Sequence, residues 1–559
     1  MRRAHAEATL LHVGAIVLLT ALAYAGSFDG QFVSDDTVSV RDRASIRALD
    51  LAHVRTIFTT FADANYLPVT ILTFAVDYRF WGLDPTGYHL SNLVIHIGCA
   101  LVVYALLLRL ALPPIAAWLV ALLWAVHPLQ VESVAWISER KNVLSGLFLF
   151  AAFFTYLPFS TRPTPGRYAG VLLLYVLALL SKMNTMVLPA LCLAHELGTR
   201  GRLRARDVAA VVPMLVLGTA VVWFNLAGNP IHGTEWHGGS RVVTWLSSAV
   251  AFFRYLGNIL LPLDLRTFYD VPLRASLLDP PVLLSVAGLV ALTGAMIALW
   301  QRRAPEAFWI AWYVVCLLPM LNVVVPFRAL MHDRYMYLAM LGPLALGAHL
   351  ALRLRRPALR RAAAIAAGAA ALACAAITHR QVEVWHDPLS LWRDLVRRHA
   401  LHATDPGVYV PEQLAEKVAF LEARLARDPV DAVAANNLGM LYFVAGRVAE
   451  ALPLYERAAR HATDRANVLT NLASAYTHVG RLEEAAVAAR AAVAATPYAF
   501  PPRLALFRVH LLQGDVARAR ADLAAIRRIR PHASSAFGWR REQAYLERLE
   551  ATRPPPGPS

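Results

Sequence analysis

Two adjacent carboxylates, Asp35 and Asp36, close the run Phe32-Val33-Ser34-Asp35-Asp36, a short way beyond the first apolar stretch of the chain. A carboxylate at a membrane face can take a proton from a hydroxyl as general base. A pair can also help to hold a divalent cation, and like charges side by side raise the pKa of one partner. For an arbitrary Asp-Asp a solvated turn is the ordinary reading; here the position turns it toward chemistry. Tyr66, in Asn65-Tyr66-Leu67-Pro68, leads to the next apolar stretch and can line the same cleft. A second group gathers where one apolar run ends at His127-Pro128-Leu129-Gln130-Val131-Glu132 and another opens at Ser138-Glu139-Arg140-Lys141-Asn142. Arg140 and Lys141, and Arg334 in His332-Asp333-Arg334-Tyr335, are cations at membrane-face positions that disfavour them, which an anionic ligand such as phosphate would compensate. The plain alternatives are snorkelling to lipid headgroups, or an ion pair of Arg334 with Asp333 or a neighbouring loop. His127, Glu132 and His332 are weaker cleft candidates. No spacing reads as a metal site or a disulfide framework. Cys99, Cys192, Cys316 and Cys374 all lie inside apolar runs and read as small buried hydrophobes.

The elements that must position these residues are membrane helices. Of 559 residues 57% are hydrophobic and 16% charged, against about 25% charged in a soluble domain. Runs at roughly 9–26, 88–110, 113–127, 142–159, 167–181, 183–198, 207–226, 281–300, 306–325, 334–352 and 361–378 suit helices that cross a bilayer, several of them short enough to need local thinning. This excludes a soluble enzyme, a disordered regulator and a disulfide-rich secreted module, and the runs lack the period-2 alternation of a β-barrel. The net charge of +16 comes from arginines clustered in short loops, as topology requires, and not from a nucleic-acid surface. With the N-terminus inside, Arg109, Arg162, Arg167 and the cluster Arg200, Arg202, Arg204 and Arg206 are cytoplasmic. Arg302, Arg303 and the cluster from Arg353 to Arg361 join them if 242–262 lies on or dips into the outer face rather than crossing. That predicts about eleven spans, with 27–87, 227–280 and the C-terminal part outside. Arg2 and Arg3 before an apolar run that ends at Ala23-Tyr24-Ala25 also fit a cleaved leader. The run is read as a retained first span, and the segment after it is outside in either case.

The C-terminal part repeats every 34 residues. Asn437-Leu438 recurs as Asn471-Leu472, Tyr442 as Tyr476, Gly446 as Gly480 and Gly514, Ala451 as Ala485 and Ala519, and Pro497 as Pro531. This is tetratricopeptide spacing, and such arrays present a concave peptide-binding surface. Asn437 and Asn471 share one phase of the first helix and are candidates to face that groove, or are simply solvated. Tyr442 and Tyr476 read as packing residues. The expected organisation is a membrane domain over 1–380, a helical linker over 381–429 with a degenerate earlier repeat near 411–429, repeats over 430–531, and a helix and disordered Pro-rich tail over 532–559.

Taken together, Asp35-Asp36, Tyr66-Leu67-Pro68-Val69-Thr70, Tyr88-His89-Leu90-Ser91-Asn92, His127-Pro128 through Arg140-Lys141 and Asn322 through Tyr337 resemble the outer-loop motifs of GT-C class membrane glycosyltransferases. The similarity is to the transmembrane-and-tetratricopeptide O-mannosyltransferase-like family and its bacterial relatives, in domain order as well. The resemblance implies an all-α fold, a polytopic GT-C-type helical membrane domain followed by a tetratricopeptide α-solenoid. It implies transfer of a sugar from a polyprenyl-phosphate carrier to an acceptor hydroxyl, often on a protein, at the outer face, with bacterial inner-membrane location and no nucleic-acid partner. It maps the base to Asp35 or Asp36 and the carrier phosphate to Arg140, Lys141 and Arg334. This chain has Asp-Asp where protein O-mannosyltransferases often show Asp-Glu, which leaves open which carboxylate acts. A divalent cation stays open as well. The rival readings are a non-catalytic membrane scaffold that recruits partners through its repeats, and a transporter, which would place ionisable residues in mid-span rather than at span ends. An enzyme needs Asp35 or Asp36 beside Arg140, Lys141 or Arg334; a scaffold does not.

Overall fold

The computed structural model describes residues 2–62, 65–228, 236–269, 271–327, 329–398, 414–462, 465–497 and 499–529. Pro531 and the tail from 532 onward lie outside the described residues. Among those described the protein is all-α, and pairing of extended backbone is confined to one bridge between Ala62 and Asn65. The chain forms two units, one of residues 1–234, 245–272 and 276–391, the other of residues 235–244, 273–275 and 392–559.

In the first unit each expected apolar run contains a helix, although the run 306–325 leaves helix after Met320 and the run 9–26 breaks after Ala23. Five helices are long and apolar enough to cross a membrane: Pro85–Arg109, Ile137–Thr161, Ala205–Ala227, Pro280–Gln301 and Pro357–Trp385. Two bent pairs raise the number to seven, Pro114–Val126 with Pro128–Ala135 and Asp333–Ala339 with Leu341–Leu352, and Glu7–Ala23, Pro165–Ser181 and Glu306–Met320 are shorter apolar helices. Proline opens many of these helices, since a missing N–H costs nothing at the first position.

The two bent pairs turn by 52° and 51° at their breaks. Backbone groups freed at a break inside an apolar core need partners, and they have them. The Ala125 carbonyl meets His96 Nε2 at 2.9 Å, and the Val126 carbonyl accepts from the Thr378 hydroxyl at 2.8 Å. On the other bent pair the indoles of Trp124 and Trp312 donate to the carbonyls of Tyr337 and Leu338. His96 Nδ1 accepts from the Tyr337 hydroxyl at 2.9 Å, so one buried histidine joins both breaks.

The second unit contains helix pairs in the tetratricopeptide manner: Ala432–Val444 with Val448–His461, Ala466–His478 with Leu482–Ala495, and Phe500–Leu512 with Val516–Ile529, preceded by Leu414–Arg427. The small residues Ala451, Ala485 and Ala519 are fully buried. The neighbouring repeats are tied by the same bond twice, Tyr442 to Glu422 at 2.9 Å and Tyr476 to Glu456 at 3.0 Å. The turn inside each pair holds Gly446, Gly480 and Gly514 at φ of +78°, +78° and +71°, with open space where a Cβ would stand at each. The left-handed backbone, not crowding, therefore selects glycine. Gly480→Ala should lower the unfolding free energy by about 1 kcal/mol through that strain, read in denaturant unfolding of the full chain; an unchanged midpoint would refute the assignment.

Candidate active site

The two carboxylates of the first long loop have different environments. Asp35 is exposed. Asp36 is fully buried. One oxygen of Asp36 accepts from the Ser138 N–H at 2.7 Å and from the Ser138 hydroxyl at 2.5 Å, and the other accepts from the Val33 N–H at 3.0 Å. Burial raises the Asp36 carboxyl from its ordinary 3.8 to about 7, against the pull of the Ser138 hydrogen bonds. The loop is thereby fastened to the turn at Trp136–Arg140 by a side chain that no substrate reaches, while its neighbour Asp35 remains accessible.

Immediately after Ser138, the buried Glu139 collects cations. Lys141 Nζ stands 2.9 Å from one of its oxygens, Lys182 Nζ 3.5 Å from the other, and Arg334 Nε 3.6 Å from the first. Arg334 also pairs with the buried Glu132, whose second oxygen accepts from the Arg334 N–H at 2.8 Å. Lys182 donates to Asn142 Oδ1 at 2.5 Å. Burial lowers the Lys182 ammonium to about 8, partly offset by Glu139. Lys141, Lys182 and Arg334 keep 14%, 15% and 19% of their side chains exposed, so each is partly open. Trp136 lies under two of them, 5.8 Å from Lys141 and 5.5 Å from Arg334. His332 Nδ1 is 3.7 Å from Glu132, but burial and Arg334 hold its pKa well below the ordinary value, so it is neutral. Three cations thus face two carboxylates, leaving one positive charge for an anion. No group of three or more potential metal-ligating side chains converges among the described residues.

The tetratricopeptide repeat family model matches residues 431–497. Human protein O-mannosyl-transferase TMTC4 is 32% identical over 168 residues, 26% of this chain and 22% of that protein. Mouse protein O-mannosyl-transferase TMTC3 is 32% identical over 161 residues, 27% of this chain and 17% of that protein. Drosophila melanogaster protein O-mannosyl-transferase Tmtc3 is 27% identical over 237 residues, 35% of this chain and 25% of that protein. The chain is similar to the TMTC protein O-mannosyl-transferases. It spans about a sixth to a quarter of the length of these relatives.

Beside this TMTC-like pattern, several residues singled out in the sequence stand elsewhere. Arg140 is fully buried in a closed shell: Nε donates to Asn92 at 2.7 Å, Nη2 to the Tyr88 carbonyl at 2.9 Å, and Nη1 pairs with Asp77 at 2.5 Å, with the guanidinium 4.5 Å over the Phe74 ring. Its donors are spent on the protein, so it anchors the turn and offers a phosphate nothing. His127 is also consumed, Nε2 against the Ile259 carbonyl at 3.0 Å and Nδ1 accepting from the Leu129 N–H. Tyr66 bonds through its hydroxyl to the Phe58 carbonyl at 2.8 Å and through its N–H to Asn225, away from the cation cluster's own contacts. In the second unit Asn437 and Asn471 are buried rather than groove-facing: Asn471 donates to Asn436, Asn436 to Asn437, and Asn437 to the Val396 carbonyl, an amide chain across successive first helices. Lys182 is the functional candidate that sequence reasoning passed over. It follows an apolar run on the face shared with Lys141, so the criterion that picked out Lys141 applies to it equally.

Ionising Asp36 in its buried place costs stability that the unfolded chain does not lose. Between pH 4 and pH 7 the native protein therefore holds a proton there that the unfolded chain has released, and stability falls as pH rises through this window. The thermal midpoint of wild type minus that of Asp36→Asn should be largest near pH 4 and decline toward pH 7. A difference that is flat with pH would contradict the burial.

Proposed function

We propose that the chain is a membrane glycosyltransferase that moves a sugar from a polyprenyl-phosphate carrier to an acceptor hydroxyl, on a protein, at the outer face of the membrane. The observation that carries this reading is the double hydrogen bond from Ser138 to Asp36, which brings the loop of Asp35 to the turn whose next residue, Glu139, gathers Lys141, Lys182 and Arg334. A scaffold has no use for that juxtaposition. The curated relatives named as protein O-mannosyl-transferases support transfer to a protein.

Asp35 acts as the base and Asp36 holds it in place. Asp35 takes the proton of the acceptor hydroxyl, the oxygen attacks the anomeric carbon with inversion, and the bond to the carrier oxygen breaks. The departing polyprenyl phosphate gains negative charge, which Lys141, Lys182 and Arg334 stabilise more in the transition state than before it. Glu132 and Glu139 keep the three cations together before the phosphate arrives. The carrier's chain stays in lipid, and the repeats, on the same side of the membrane, hold the acceptor through exposed positions of their first helices.

Asp35→Asn should fold normally and lower transfer by about 10²-fold or more, assayed in membranes with a panel of polyprenyl-phosphate sugars; normal turnover would remove Asp35 from the mechanism. In the same membranes Arg334→Ala and Lys182→Gln should weaken the donor, by about 1.5–3 kcal/mol where a charged hydrogen bond is lost. Deletion from residue 430 should spare donor binding and impair transfer to a protein. Loss of donor binding in the deletion with retention in Arg334→Ala would refute the division of labour. A reporter fused at Thr378 should register outside the cytoplasm; cytoplasmic activity there would overturn the eleven-span topology.

A further inference from the structure

At the opposite end of the helices a second site is built from apolar and cationic parts. Lys182 bonds to Asn142, at the start of the helix Arg140–Thr161, whereas Arg200 donates to the Ser160 carbonyl, at its end. The 18 residues between those positions separate the two ends by about 27 Å of helical rise. Near Arg200 lies a cavity of about 290 Å³ whose walls are almost wholly apolar, formed by Ala190, Leu193, Leu197, Met296, Val314 and Val315. Leu203 and Trp300 line it as well. The Trp300 indole N–H is buried and has no hydrogen-bond partner. Gly198 lies against it, with Nε1 3.5 Å from where a Cβ would stand.

Two basic turns converge here. Gly201 packs against the Arg303 guanidinium, with Nε 3.1 Å from the position of a Cβ, so the turn carrying Arg202 meets the turn carrying Arg302 and Arg303. The carboxylates nearby are committed: Glu196 and Asp207 pair with Arg200, and Asp207 also with Arg206. Arg202, Arg302 and Arg303 are exposed and enter no ion pair among the described residues. An apolar slot lined by an unpartnered indole donor, beside turns that carry three uncommitted arginines, matches a molecule with an acyl chain and a phosphate. Basic pockets between membrane helices take anionic phospholipid headgroups in this way.

We propose that this cavity is a binding site for an anionic glycerophospholipid, with an acyl chain between the helices Leu188–Arg200, Pro280–Gln301 and Glu306–Leu317 and its phosphate at Arg202, Arg302, Arg303 and Trp300. The site is separate from the carboxylate cleft and does not depend on the proposed transfer reaction. The lipid fills the gap between three helices of which one, Pro280–Gln301, has only 11% of its apolar window buried inside the protein.

The test is native mass spectrometry of the full-length protein equilibrated with equal phosphatidylglycerol and phosphatidylcholine. Wild type should retain phosphatidylglycerol in preference, and the double variant Arg302→Gln/Arg303→Gln should lose that preference by roughly tenfold. Ala190→Trp, at an exposed lining position, should reduce retention of either lipid at the site by filling it. Equal retention of both lipids by wild type, or unchanged preference in the double variant, overturns the proposal. Displacement of the retained lipid by millimolar inorganic phosphate overturns it too, because the site would then be one for a soluble anion. Preferential retention of a polyprenyl phosphate over phosphatidylglycerol has the same effect.

Discussion

A carboxylate buried without a counter-ion must be given hydrogen bonds or forfeit its charge, and Asp36 receives three. That constraint fixes the first long loop. Two of the donors belong to Ser138, so Asp36 cannot be satisfied unless the loop lies on the turn at Trp136–Arg140. The same turn is held from the other side. Arg140 sits in its shell of Asp77, Asn92 and Tyr88, and Asn92 in turn donates toward the carbonyls of Val134, Trp136 and Ile137. Between these two buried anchors Glu139 has one orientation, and the cations that surround it inherit theirs from it.

The arrangement of charge follows from that shared carboxylate. Lys141, Lys182 and Arg334 come from three separate parts of the chain and would repel one another if left alone. Glu139 touches all three, and Glu132 takes a second share of Arg334. The carboxylates hold the cluster together, yet it keeps an excess of one positive charge over Glu132 and Glu139 at side chains that are partly exposed. Burial lowers Lys182 to about 8, and an arriving phosphate would favour its charged form. A site assembled in advance needs little rearrangement when negative charge develops on a leaving group.

Much of this architecture is legible in the sequence because it is periodic. The apolar runs predict the helices, and the 34-residue spacing predicts repeats in the phase that buries Ala451, Ala485 and Ala519. Lys141 and Arg334 stand out because cations are costly at that membrane face. The same rule misleads for Arg140, whose partner Asp77 lies 63 positions earlier in another helix; its cost is repaid internally, and no spacing reveals that. Asp35 and Asp36 look equivalent in sequence, and only the placement of Ser138 separates an accessible carboxylate from a buried one. Asn437 and Asn471 share a helical phase as expected, but whether that phase faces a groove or the preceding helix depends on packing between repeats, which Val396 and Asn436 decide.

In the proposed mechanism the bond between Ser138 and Asp36 aligns the loop of Asp35 with the cation cluster. Steady-state transfer and donor affinity of Ser138→Ala in native membranes test this alignment. That change removes the hydroxyl donor and leaves the backbone N–H in place. Turnover should fall by about tenfold or more as the base loses alignment, while affinity for the polyprenyl-phosphate donor should stay within about twofold because no cation is touched. Unchanged turnover, or a loss confined to donor affinity, would contradict the mechanism.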